Sequence, residues 1–92
     1  MKAVVWSKAS LDSLESIYSF IYPKSPQNAE MVIETLLILG DDLAKFPHRN
    51  PKEPLFNDEA IRYFPKWNFN IVYRIEENRI LIINIYSTKL NW

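Results

Sequence analysis

The sequence has no cysteine, one histidine and one glycine among its 92 residues. Without cysteine there is neither a disulfide framework nor a thiolate metal site. A single histidine does not support a zinc site, and a single glycine excludes a glycine-rich phosphate-binding loop. We therefore expect a fold held by packing alone, with no metal and no cofactor. The absence of cysteine is also compatible with a reducing cytoplasm.

Long hydrophobic runs are missing as well. No apolar stretch approaches the ~20 residues that span a membrane. The first ten residues, MKAVVWSKAS, have too short an apolar segment for a signal peptide. We expect a cytoplasmic protein in which residues 1–92 form one domain, because a chain of this length supports a single core.

Charge is balanced, with 11 basic and 11 acidic residues, so composition alone does not indicate a nucleic-acid binder. The two halves differ, however, because residues 1–46 are net acidic and residues 47–92 are net basic. All four arginines, Arg49, Arg62, Arg74 and Arg79, lie in the second half. This distribution favours an anion-facing C-terminal half.

The first half predicts one strand and two helices. Residues 3–6 are a β-branched and aromatic run. Ser7 or Ser10 can cap a helix that ends near Tyr22, and Ser25 can cap a second helix over residues 26–45. Gly40 costs this second helix about 1 kcal/mol relative to alanine, which a close approach to another backbone would justify.

The second half predicts a loop over residues 47–60 and then three strands, over residues 60–64, 68–75 and 79–87. The predicted fold class is α+β, with the order β-α-α-β-β-β. A helical hairpin would pack on one face of a mainly antiparallel twisted sheet.

Alternation sorts the side chains of these strands into two faces. The more apolar set is expected to lie against the helices: Ile61, Tyr63, Phe69, Ile71, Tyr73, Ile75, Leu81, Ile83 and Ile85. The uncovered face would then carry Arg62, Phe64, Asn70, Arg74, Asn84 and Tyr86. Two guanidinium groups with amides and a phenol suit a phosphate-rich ligand. Alternatively, this face is polar only because it meets solvent.

Three stretches in this order resemble the RelE/ParE family of bacterial toxins from type II toxin–antitoxin systems, also called plasmid-stabilisation proteins. VVWSKASLDSLESIYSFI resembles the family's first strand and helix, and SPQNAEMVIETLLILGDDLAKFP its second helix. IRYFPKWNFNIVYRIEENRILIINIYSTKLN resembles its sheet, above all in Arg62, the IVYRI run and the closing YSTKLN. The resemblance extends over nearly the whole chain.

In the RNA-cleaving branch of that family, arginines on the sheet hold the scissile phosphate and a C-terminal Tyr or His transfers protons. Arg62 and Arg74 match those arginines, and Tyr86 lies where the terminal-strand Tyr or His is usual. Lys89 replaces a common arginine, Leu90 a glutamine and Trp92 a proline. His48 is a second candidate for proton transfer. The resemblance thus implies catalysis by Arg62, Arg74 and Tyr86, and target binding by a wider set: Arg62, Asn70, Arg74, Asn84 and Lys89.

The resemblance implies a toxin that inhibits growth and is neutralised by a cognate antitoxin. In the ParE-like branch the target is DNA gyrase, which is inhibited by protein contact. Neutral net charge fits this branch better than a ribosome-bound nuclease, which would need strong positive charge. The alternatives are a metal-independent, ribosome-dependent mRNA endoribonuclease and a non-catalytic binding module.

Overall fold

The computed structural model describes residues 2–88, which contain two helices and four strands. In chain order these are β1 (Ala3–Trp6), α1 (Lys8–Ile21), α2 (Pro26–Asp41), β2 (Ile61–Lys66), β3 (Phe69–Ile75) and β4 (Arg79–Ser87). The strands form one sheet in the order β1-β4-β3-β2, in which only β1 and β4 are parallel. The predicted α+β order is confirmed. Within the described part of the chain, no helix is both long and apolar enough to cross a membrane.

Serine caps fix the starts of both helices. Ser7 precedes α1 and its Oγ accepts a hydrogen bond from the Ser10 backbone N–H at 3.1 Å. Ser25 precedes α2, and its Oγ accepts from the Asn28 N–H at 3.1 Å. Each cap satisfies a first-turn N–H that the helix itself leaves unpaired. The serines thus set where each helix begins.

α2 is shorter than predicted, because it ends at Asp41 and a 3₁₀ turn over Asp42–Ala44 replaces its last residues. This tighter turn buries Leu43 and Ala44. A second 3₁₀ turn, Pro47–Arg49, begins the long loop. The buried apolar side chains therefore continue beyond Asp41, where the α-helix ends.

Gly40 lies against the indole ring of Trp6, and not against a backbone as the sequence suggested. A β-carbon at Gly40 would lie 2.2 Å from Cζ2 of Trp6, and 3.0 Å from Cδ1 of Ile82. Trp6 is held there because its Nε1 donates to Oδ1 of Asp41 at 3.0 Å. The single glycine makes room for this ring between α2 and the sheet.

The helices cover one face of the sheet, here called the helix side. Residues from both helices and from the 3₁₀ turn after α2 pack with residues of β3 and β4 in one buried cluster: Leu14, Val32, Leu36, Leu43, Ala44, Ile71, Tyr73, Ile80, Ile82 and Ile85. From β1, Val4 and Trp6 pack against its edge. This cluster is the core on which the sheet is built.

The predicted faces of β2 and β4 are wrong in part, because strand pairing does not follow the simple alternation. Directly opposed residues share a face. Arg62 is opposite Tyr73, and Tyr73 is opposite Ile82, so Arg62 projects from the helix side. Phe64, opposite Ile71, is on the helix side as well.

On the second face, opposite the helices, Ile61, Arg74, Leu81 and Val5 form one row across the four strands. A register shift between Val72 and Tyr73 marks a β-bulge in the β3–β4 pair. Because of it, Ile80 and Ile82 face the helices together with Ile85, whereas Leu81 does not.

Candidate functional site

Arg62 binds the long loop between α2 and β2. Its Nη1 donates to the carbonyl oxygens of Asn50 at 2.9 Å and His48 at 3.3 Å, and its Nε donates to the carbonyl of Glu59 at 3.1 Å. A further ion pair joins its Nη2 to Oε1 of Glu59 at 3.4 Å. Only 17% of the side chain is exposed. Arg62 is therefore saturated by the protein's own loop and is not arranged to receive a ligand.

Tyr73 joins Arg62 in holding this loop, a role that the sequence gave no reason to assign. The side chain is fully buried, and its hydroxyl donates to the Pro47 carbonyl at 2.5 Å. Asn50 Nδ2 donates to the same hydroxyl at 3.1 Å. Burial raises the pKa of Tyr73, and the Asn50 hydrogen bond and the Arg62 charge oppose that rise. The loop is thus tied to the sheet by a hydroxyl and a guanidinium on the helix side.

Arg74 is in the opposite situation. It is exposed on the second face, in the row between Ile61 and Leu81. Within residues 2–88 it has no hydrogen-bond, ion-pair or aromatic partner. Every other lysine and arginine of that range has one: Lys2, Lys8, Lys24, Lys45, Arg49, Lys52, Arg62, Lys66 and Arg79. In the described part of the chain, Arg74 is thus the lysine or arginine without a partner of its own.

Asn70 and Tyr86 share the second face with Arg74. They are directly opposite one another on β3 and β4, and Tyr86 is 42% exposed. Tyr63 lies on the same face, opposite Val72. The predicted grouping of Asn70, Arg74 and Tyr86 on one face is therefore correct, although no second guanidinium from β2 accompanies them.

Asn84 does not contribute to this face, contrary to the prediction. Its Oδ1 accepts from the Ser13 hydroxyl of α1 at 2.5 Å and from the Ile85 backbone N–H at 2.8 Å. The register shift in the β3–β4 pair turns this side chain toward the helix. Asn84 is thus a link between α1 and the irregular part of β4.

The remaining predicted residues fall elsewhere. Lys89 lies outside the described residues, together with Leu90 and Trp92. His48 is exposed in the turn after α2, and its carbonyl oxygen is the group that binds Arg62. No cluster of three or more His, Asp or Glu side chains suited to a metal occurs within residues 2–88.

Arg62 and Arg74 are the pair on which the phosphate-binding hypothesis depended. They project from opposite faces of the sheet, and Arg62 is already bonded to three backbone carbonyls. They cannot grip one phosphate from two sides. The second face instead offers one free guanidinium among apolar and aromatic neighbours.

Comparisons with known proteins agree with this architecture. The family model described as the ParE toxin of the type II toxin–antitoxin system parDE matches residues 4–92. A solved structure titled "Chromosomal ParDE TA system from P. aeruginosa" superposes with a TM-score of 0.80. That match covers 97% of this chain and 98% of the other, at 17% sequence identity, and so shows a shared fold. A search of curated proteins found no similar sequence.

Proposed function

The chain belongs to the ParE family of toxins of type II toxin–antitoxin systems, and from this premise we propose that it arrests growth by binding DNA gyrase through its second face. The toxin would act in the cytoplasm, where gyrase works. Inhibition would follow from protein contact, with no bond cleaved by the toxin itself.

The separation of Arg62 and Arg74 is the observation that carries this choice over RNA cleavage. Cleavage of a phosphodiester needs charge stabilisation at the phosphate from groups that converge on it. Here the Arg62 guanidinium donates to loop carbonyls, and Arg74 projects from the opposite face of the sheet. Neutral net charge argues in the same direction, because a ribosome-bound nuclease must compete for a dense polyanion.

The composition of the second face fits a protein partner. Arginine and tyrosine are enriched at the centres of protein interfaces, where they are surrounded by apolar neighbours. Arg74 and Tyr86 supply the first two, and Leu81, Val5 and Tyr63 supply apolar surface around them. An acidic group on the target would pair with the free guanidinium of Arg74.

A cognate antitoxin is part of the same proposal. The similar solved structure is titled as a toxin–antitoxin system, and the family is defined by such systems. We expect the antitoxin to be encoded by a small adjacent gene and to neutralise the toxin by binding it directly.

The test begins with expression of the protein alone and together with the product of the adjacent small gene. Growth arrest that the second product relieves is the expected result. Purified toxin should then inhibit gyrase-dependent DNA supercoiling while cellular transcripts stay intact. Arg74→Ala should raise the concentration needed for half-inhibition by at least tenfold, whereas Arg49→Ala, an exposed arginine in the loop, should leave it unchanged.

Two results would contradict the proposal. Cleaved transcripts on translating ribosomes, with supercoiling unaffected, would favour the endoribonuclease alternative. High expression of folded protein without any growth defect would favour a binding module.

A further inference from the structure

Trp67 occupies a backbone conformation that its side chain does not favour. It is the first residue of the two-residue turn between β2 and β3, where Lys66 is opposite Phe69. Its φ angle is +53°. Within residues 2–88 the other non-glycine residue with positive φ is Asn57, and asparagine tolerates this region far better than a bulky residue does.

The turn gives no reason for a tryptophan at this position. Glycine, asparagine or aspartate would adopt the left-handed conformation with less strain and is the usual choice in such turns. The Trp67 side chain is 49% exposed, so it contributes little to the core. Its indole N–H has no hydrogen-bond acceptor among the described residues. The backbone conformation of the turn therefore does not explain the tryptophan.

The turn is nevertheless held in place. Thr88, just beyond the end of β4, donates to the Asn68 carbonyl from its backbone N–H at 2.7 Å and from its hydroxyl at 3.1 Å. The Lys66 ammonium lies 4.7 Å from the centroid of the Trp67 ring. A half-exposed aromatic ring with a cation on it thus lies at the end of the sheet, on a turn that is hydrogen-bonded to the residue after β4.

We propose that Trp67 is an anchor residue that inserts into a pocket on the toxin's protein target, with its indole N–H donating to an acceptor there. Backbone strain kept at an exposed position is typical of residues retained for contact and not for stability. Tryptophan is also the residue type most enriched among interface hot spots. Lys66 would pair with a carboxylate at the rim of that pocket.

A protein pocket suits this surface better than a nucleic acid does. Residues 61–75 contain no acidic residue and three basic ones, Arg62, Lys66 and Arg74. Of these, Arg62 is bound to the loop and projects from the face opposite Arg74. They therefore do not form the continuous basic groove that tracks a nucleic-acid backbone. One aromatic ring with one adjacent cation matches a compact acidic pocket.

The inference rests on the proposed gyrase inhibition, and the variant Trp67→Gly separates the two. Glycine relieves the positive φ, so Trp67→Gly should unfold at a higher temperature than Trp67→Ala, which lacks the ring but keeps the β-carbon. The difference should be about 4–8 °C if the strain is near 1 kcal/mol. Trp67→Gly should need at least tenfold more protein to half-inhibit purified bacterial gyrase in a supercoiling assay. Loss of inhibition in a variant that unfolds cooperatively well above the assay temperature cannot be attributed to misfolding.

Two further variants sharpen the result. Trp67→Phe keeps an aromatic ring, although a smaller one, and the strained backbone but removes the indole N–H, so its inhibition should fall between wild type and Trp67→Gly. Phe20→Ala is the matched control, because Phe20 is 74% exposed and carries Lys24 over its ring at 5.4 Å, but lies in α1. It should inhibit gyrase as wild type does.

Each contrary outcome has a distinct meaning. If wild type fails to inhibit gyrase, the proposed function fails and the anchor fails with it. If wild type inhibits and Trp67→Gly inhibits equally, only the anchor is overturned. A Trp67→Gly variant no more stable than Trp67→Ala would refute the strain premise. Binding of a labelled single-stranded oligonucleotide without gyrase, abolished by Trp67→Gly, would replace the protein pocket with a nucleic acid.

Discussion

Arg62 and Arg74 lie on opposite faces of one sheet, although they come from adjacent strands. Arg62 is opposite Tyr73 and Arg74 is opposite Ile61, so the two guanidinium groups are separated by the thickness of the sheet. The first is bonded to loop carbonyls, and the second has no partner among residues 2–88. Two arginines that look equivalent in the sequence should therefore respond differently to mutation.

Arg62→Ala should lower the free energy of unfolding by about 1–3 kcal/mol, because several carbonyls and Glu59 lose their donor. Arg74→Ala should change it by less than about 0.5 kcal/mol, as expected for an exposed side chain without partners. Urea titration of both variants measures these differences. Equal destabilisation by the two substitutions would contradict the assignment of faces.

Stability should fall above pH 10 through Tyr73. Its pKa is raised above the model-peptide value of 10.0, chiefly because it is buried. The unfolded chain then loses the phenolic proton at lower pH than the folded chain does. The contribution is fully present below pH 10 and is lost as pH rises through the folded-state pKa. The urea midpoint, measured from pH 8 to pH 11, should therefore drop at the alkaline end.

Tyr73→Phe is the control for that decline. It should remove part of the alkaline loss, and at pH 7 it should cost about 1–2 kcal/mol because Pro47 and Asn50 lose the hydroxyl that joins them. The pKa of Tyr18 is also raised, through its hydrogen bond to Glu30, so some pH dependence should persist. An alkaline decline identical to that of wild type would exclude Tyr73 as its source.

Gly40→Ala should destabilise the protein, although alanine is the better helix former by about 1 kcal/mol. The added methyl would overlap the Trp6 ring, which Asp41 holds in place. Overpacking of this kind costs about 1–3 kcal/mol. Combining Gly40→Ala with Trp6→Leu should recover part of the loss, and a double-mutant cycle measures that coupling. Purely additive effects would show that the ring is not the obstacle.

Asn84→Ala should lower the stability of the protein without weakening its contact with the target. It removes the acceptor for the Ser13 hydroxyl and the Ile85 N–H, at a cost of about 1–2 kcal/mol. Asn84→Asp keeps an acceptor oxygen and should be closer to wild type in thermal unfolding. The proposed gyrase inhibition, compared at temperatures where both variants are folded, should match wild type. Reduced inhibition by folded Asn84→Asp would show that Asn84 contacts the target after all.

The sequence carried enough information for the elements but not for the pairing between them. Ser25 and Pro26 marked the start of α2 through local chemistry, which depends on a few neighbouring residues. For α1 both Ser7 and Ser10 were candidates, and the structure selects Ser7. The face of each strand was harder to predict, because β4 is apolar on both sides. Alternation alone cannot decide whether Ile80 and Ile82, or Leu81 and Ile83, face the helices. Only the cross-strand register makes that choice.

The prediction of the candidate site depended on the assignment of strand faces more than the prediction of the fold did. Asn70 and Arg74 were grouped correctly because β3 alternates regularly over its whole length. Tyr86 shares their face because it is opposite Asn70. Arg62 was misplaced because β2 was given the wrong face, and Asn84 because no sequence signal marks the irregularity near it. Tyr73 was expected in the core, but its partners Pro47 and Asn50 are more than twenty residues away. Such distant contacts leave no local signal.

The pairing of β1 with β4 has a consequence for the order in which the chain folds. The first strand, Ala3–Trp6, finds its only registered neighbour in Arg79–Ile82, at the far end of the described chain. Closing so long a loop is entropically costly and places this step late in folding. A nascent or truncated chain without β4 also lacks Ile80, Ile82 and Ile85 from its core. The sheet surface that carries Arg74 and Tyr86 should therefore form only after β4 has been synthesised.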